Sequence, residues 1–273
     1  MKKLTSALAV AAAMGVSASA LAAPDFSGRV NILYKDTTGF NDSNGRLQIF
    51  DSGEGVNGIQ TGYFIRLNGN SDGASNVAKA YVTVAGDFGK FLFGREDDLV
   101  YQMVGGNTDP FRGFGLAAFS ATGKEGTAVQ YHLTVDMVTL AAYADTGNDN
   151  DVGIYEVGGS LDLGAGSVSV VFADGDSVDS GEVYVGATLD AGVAQLAASV
   201  GDLADGSQPY GLSAGIPLTD SVKLTIGYSD DDAGNANAVG EFLFQLGGGV
   251  SMSAGYQGGD AEDFAALGVR YTF

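Results

Sequence analysis

Cysteine and tryptophan are absent from the 273 residues, and histidine occurs once, at His132. Without cysteine there is no disulfide and no thiolate, which excludes the small disulfide-stapled secreted scaffolds. His132 has no Cys or His companion around which a metal centre or a catalytic triad would form. Basic residues are scarce too: 13 Lys and Arg stand against 33 Asp and Glu, a formal charge of −20, the wrong sign for a nucleic-acid partner. Carboxylates are too numerous to single out a glycosidase pair. Gly247-Gly248-Gly249 precedes neither a helix nor a Lys-Ser/Thr pair, so it reads as a turn and not a phosphate loop. No nucleophile stands beside a base, and the chain is read as a non-enzyme.

Long apolar runs are also missing. The only candidate, Leu4 to Val16, falls short of the about 20 residues a membrane-crossing helix needs. It follows Lys2 and Lys3 and precedes the small residues Ala20-Leu21-Ala22, the layout of a secretory signal. Cleavage is expected after Ala22, with Ala18-Ser19-Ala20 as the rival site. Secretion without disulfides fits a Gram-negative periplasm or outer membrane. The rest, 23–273, shows no Pro-rich linker and no composition break, and is expected to be one domain. Its 43 glycines have no collagen period, and 45% hydrophobic content with clear alternation argues against disorder.

That alternation has period two. Phe26, Gly28, Val30, Ile32 and Tyr34 point one way, and Ser27, Arg29, Asn31, Leu33 and Lys35 the other. The pattern recurs over Arg46–Asp51, Gly58–Asn68, Val77–Ala85, Lys90–Arg95, Thr127–Leu133 and Met137–Tyr143. It continues in nine further segments from Ile154 to Phe273, predicting sixteen strands. Connections alternate between short turns, such as Gly164-Ala165-Gly166, and longer acidic loops, such as Asp230 to Asn237. An even strand count with short turns at one end and long polar loops at the other marks an all-β, transmembrane antiparallel barrel.

Periodicity alone leaves open whether the apolar face turns inward, as in a soluble sandwich, or outward to lipid. Strand length, aromatics near strand ends (Tyr34, Tyr63, Tyr143, Tyr210, Tyr228, Tyr256, Tyr271 and Phe273) and a polar face rich in Gly, Ser and Gln favour lipid. A secreted acidic calcium-binding β-protein is the soluble rival, and it should show short repeats, which are not found.

Arg46-Leu47, Asp51 to Gly58, Ala80-Tyr81-Val82 running into Ala85-Gly86-Asp87-Phe88-Gly89-Lys90, and Gly94-Arg95 resemble the early hairpins of the general bacterial porins. The terminal Phe273, with Tyr271 two before it, resembles their C-terminal signal. The resemblance implies a homotrimer of sixteen-stranded barrels in the outer membrane, each with a third loop folded inward as a constriction. Here that loop is Glu96 to Glu125, the one long stretch without sustained alternation, where loops beyond about 15 residues are usually functional. The partners implied are outer-membrane lipid and small solutes and ions. A substrate-selective channel is the alternative, but no aromatic staircase is found to support it.

Within that frame Arg29, Arg46, Arg66, Lys79 and Arg95 fall on successive strands and form a basic stripe. Glu96, Asp97, Asp98 and Asp109 face it from the loop, which also carries Arg112. Arg95 shares parity with Phe91 and Phe93, so a bulge at Gly94 is expected to turn it inward. Opposed charges across a narrow gap set up a transverse field that orients permeating solutes. Beyond Thr127 the only basic residues are Lys223 and Arg270, so a mild cation preference is expected. No cofactor is expected beyond loosely bound calcium on acidic loops, with Asp149, Asp151, Asp230, Asp231 and Asp232 as weak candidates. The span Asp145 to Glu156 lacks the glycine an EF-hand needs at its sharp turn.

Overall fold

The computed structural model describes residues 24–39, 44–70, 75–111, 126–145, 153–175, 178–260 and 263–273. The predicted leader, Arg112, Asp149 and Asp151 lie outside these. Sixteen strands form. The first half holds β1 (Asp25–Lys35), β2 (Asn44–Glu54), β3 (Gln60–Asn70), β4 (Ser75–Gly86), β5 (Gly89–Glu96), β6 (Gly126–Val135), β7 (Val138–Asp145) and β8 (Ile154–Asp162). The second holds β9 (Gly166–Gly175), β10 (Val178–Asp190), β11 (Gln195–Asp202), β12 (Tyr210–Thr219), β13 (Val222–Asp230), β14 (Ala236–Gly247), β15 (Val250–Gly259) and β16 (Phe264–Thr272). Each pairs antiparallel with its sequence neighbours, and β1 pairs with β16, so the sheet closes on itself.

Closure satisfies the backbone without water, the condition for spanning a bilayer with strands. Among the described residues no helix is long and apolar enough to cross a membrane. At the seam the last residue joins the ladder: Gly28 N donates to Phe273 O at 2.9 Å, and Phe273 N to Gly28 O at 3.0 Å. The short turns are tied by aspartates, with Asp162 Oδ1 accepting from Gly164 N and Asp190 Oδ1 from Gly192 N, each at 2.8 Å.

The structure decides the face that alternation left open. On β13, Ile226 is 45% exposed while its neighbour Thr225 is 3%; on β16, Leu267 is 58% exposed and Ala266 4%. A soluble sandwich would bury the large apolar side chains. Here they form the outer surface all around the barrel, so that surface belongs in lipid. Tyr34, Tyr210, Tyr228, Tyr256, Tyr271 and Phe273 are on it as expected. Tyr143 is a correction: it is buried inside the barrel, where the third loop packs on it.

The expected bulge is also displaced. Pairing through Gly94 is one-for-one, Tyr81 with Gly94 and Ala80 with Arg95, so no residue is inserted there. Gly94 instead takes φ +135°, open only to glycine, and an added Cβ would stand 2.3 Å from Ala80 O. The register shift lies one strand earlier, where Arg66 pairs with Lys79 and Leu67 with Val77, leaving Ala78 extra. That bulge lets Lys79 stay buried opposite Arg66 while Val77, two residues before it, is exposed on the outer face.

Candidate functional site

The inner wall of β1 to β4 carries two rows of polar side chains. Arg29 pairs with Arg46, and Arg46 with Asn68; in the next row Gln48 pairs with Arg66, and Arg66 with Lys79. Arg46 Nε donates to Asn68 Oδ1 at 3.3 Å. Four of the five expected cations therefore form one patch. Arg95 lies in a different backbone row, with Ala80 and Thr127, and its Nε is withdrawn from solvent.

The third loop enters from the end of β5 and meets this patch at once. Lys79 Nζ forms ion pairs with Glu96 Oε1 and Asp97 Oδ2. Asp97 also lies within electrostatic reach of Arg46, whose like-charged neighbours are Arg29 and Arg66. The chain then coils over residues 99–108, a π-helical turn Tyr101–Gly105 running into the turn Gly106–Thr108. Tyr101 is exposed, with Asp97, Asp109, Arg66 and Arg46 as its charged neighbours. Its partial burial first, then Asp97 and Asp109, push the phenol above the usual tyrosine range, so it remains a neutral hydroxyl beside the arginines.

The opposite face of the coil is apolar. Leu99, Val100 and Val104 are fully buried against Ala128, Ala141, Tyr143, Val171, Ala173 and Tyr184 of β6, β7, β9 and β10. Burial of this kind contributes about 2 kcal/mol per side chain. Gly186 allows the approach, since a Cβ there would lie 3.1 Å from Val104 Cα. Polar pins complete the docking. Glu156 Oε2 accepts from Leu99 N at 2.5 Å, and Asp98 Oδ1 from Tyr101 N at 2.7 Å, so two carboxylates satisfy the orphan N–H groups at the start of the coil. Gln130 Nε2 donates to Asp97 O at 2.8 Å and Gln102 Nε2 to Gln130 Oε1 at 3.1 Å. At the far end Thr108 Oγ1 lies 3.1 Å from Ser199 Oγ of β11. His132 stands on the same inner wall, Nε2 3.1 Å from Gln130 Oε1.

Of the expected acidic set, Glu96 and Asp97 meet the basic patch directly, and Asp109 reaches its edge through Tyr101. Asp98 is a correction: it is buried and caps the loop coil, because the first turn needs an acceptor there. Sequence reading missed Tyr101, Glu156, Gln102 and Gln130. Only the coil left a signal, the apolar spacing of Leu99, Val100, Met103 and Val104 behind a capping aspartate.

Of the weak calcium candidates, Asp230, Asp231 and Asp232 lie among the described residues and accept hydrogen bonds in their turns. Asp230 Oδ1 accepts from Asp232 N at 2.8 Å, Asp231 Oδ1 from Ala233 N at 2.9 Å and Asn235 N at 3.0 Å, and Asp232 Oδ2 from Gln208 N at 2.8 Å. These three aspartates hold turns; among the described residues no three His, Cys, Asp or Glu side chains converge as metal ligands.

The closed antiparallel barrel has known counterparts. A mutant of Rh. blastica porin with an alanine-to-lysine change superimposes at TM-score 0.74 and 17% identity, covering 92% of this chain and 100% of that one. A variant of that porin with an aspartate and a glutamate changed to alanine gives 0.74 and 17%, and one with a lysine and an arginine changed to alanine gives 0.74 and 16%, with the same coverage. At such identity the likeness speaks to the fold. Curated protein sequences give no match. The family model for Gram-negative porins matches residues 7–273, nearly the whole length. By that match this chain belongs to the Gram-negative porin family and is an outer-membrane channel protein.

Proposed function

We propose that this porin lets small hydrophilic solutes and ions diffuse passively down their gradients, with a mild preference for cations, and that it works as a homotrimer without catalysis or a resident cofactor. Residues 1–22 direct export and are removed. The short turns face the periplasm and the acidic loops the exterior, the usual arrangement of such barrels. One observation carries the reading: the docked loop sets Glu96, Asp97 and Tyr101 against Arg46, Arg66 and Lys79 inside a closed barrel. Opposed charges at a narrowing filter solutes by size and orient their dipoles. The scarcity of basic residues beyond Thr127 tips the remaining lumen and loops toward cations.

Planar bilayers test this. Purified protein is expected to insert as open channels, and a KCl gradient should give a reversal potential of the sign that marks cation preference. Anion preference would overturn the selectivity, and failure to conduct would overturn the channel reading.

A further inference from the structure

Below the docked loop, toward the short-turn end, the inner wall of β9 to β13 lines an open pocket of about 450 Å³. Asn107 and Pro110 of the loop roof it, and Gln195, Ser213 and Lys223 line its wall. Lys223 is the single basic residue between Thr127 and Arg270. Its Nζ lies 3.3 Å from Gln195 Oε1, and no carboxylate among the described residues forms an ion pair with it. The side chain lies flat on Gly215, where an added Cβ would stand 2.5 Å from Cε and 2.7 Å from Nζ. At the turn end the same pocket is bounded by Asp162 and Asp190. Each spends one carboxylate oxygen on its own turn.

A pocket with an unpaired ammonium on its wall and two carboxylates at its rim discriminates among solutes by simple electrostatics. A plain anion gains from Lys223 but meets Asp162 and Asp190. A plain cation gains from the aspartates but meets Lys223. A neutral sugar gains from neither. Only a molecule bearing both signs is favoured at both ends. The volume lies within the ordinary range for small-molecule sites. We propose that this pocket is a transient subsite for small zwitterions, α-amino acids or short peptides, with Lys223 taking the carboxylate and Asp162 or Asp190 the ammonium after the solute has passed the constriction. The proposal rests on the diffusion-channel reading and adds a solute class to it.

Liposome swelling with L-glutamine, D-ribose and sodium lactate tests both and keeps them apart. Ribose entry reports the open channel itself; if ribose does not enter, the channel reading fails. With ribose entering, the glutamine-to-ribose ratio is expected to fall about two- to fivefold in Lys223→Met, the size an exposed charge contact allows. The double variant Asp162→Asn with Asp190→Asn should lower it likewise. Gly215→Ala keeps the charge but lifts it off its bed, and serves if the methionine variant fails to fold; it too should lower the ratio. An unchanged glutamine ratio in the folded variants overturns the subsite. So does a fall confined to lactate, which would make Lys223 a plain anion site.

Discussion

At the scale of single residues, Lys79 holds the most contested position in the lumen. It is buried between two carboxylates, Glu96 and Asp97, and it stands beside Arg66 in the same row. Removing the ammonium leaves Glu96 as a buried anion without that partner, a change that costs about 3 kcal/mol when one member of a buried pair is lost. It also removes positive charge where the loop meets the wall. Lys79→Met should therefore act twice. The temperature at which the folded barrel unfolds in detergent should drop, and the cation-to-anion permeability ratio should rise about two- to fivefold. Asp97→Asn should move selectivity the other way. Reversal potentials of the two variants in one salt gradient check this; shifts of the same sign would show that the pair does not set the field.

At the scale of elements, the third loop is the part whose structure its sequence half concealed. Period-two alternation announced the strands, because each has one face in lipid and one on the lumen. It also placed Arg29, Arg66 and Lys79 inward. It could not announce the coil over residues 99–108, whose apolar helical spacing is short and interrupted by Gly105 and Gly106. Nor could it mark Tyr143, Val171 and Ala173, which point into the bore because the loop, and not water, covers them. The Ala78 bulge had no glycine to flag it, whereas Gly94, which was flagged, carries unusual backbone without an inserted residue.

The coil depends on Glu156 as its acceptor across the bore. Glu156→Leu would orphan the Leu99 N–H that it now bonds. An unsatisfied buried donor costs about 1–3 kcal/mol, comparable to the burial of one of the coil's apolar side chains. The loop should then spend more time undocked. Trypsin, which can cut after Arg112 or Lys124 in the same loop, should cleave the variant several-fold faster than the parent when both are folded. Single-channel records should become noisier. Equal cleavage rates would assign the docking to the apolar face alone.

At the scale of the whole molecule, everything depends on closure. A barrel left open at one seam would present unpaired N–H and C=O groups to hydrocarbon, at several kcal/mol each. Here the seam joins β1 to β16, and its short-turn end is fastened by Phe273, whose backbone exchanges two hydrogen bonds with Gly28. The Phe273 ring lies over the same glycine: an added Cβ at position 28 would be 2.5 Å from ring Cζ and 2.8 Å from the carbonyl oxygen of Arg46. The first clash can be relieved by moving a side chain, but the second cannot, since that oxygen belongs to the ladder with β2. Gly28→Ala should therefore strain both pairings of β1 at once. The expected result is a fall in the yield of heat-modifiable, folded barrel on refolding into detergent or liposomes, with little change in conductance for the channels that do close. Phe273→Leu alone should fold more slowly than the parent but close. Combining it with Gly28→Ala should restore only part of the yield, because the contact with the Arg46 carbonyl remains. Full rescue by the double variant would mean that the ring alone forbids a side chain at this position and that β1 has room to shift against β2.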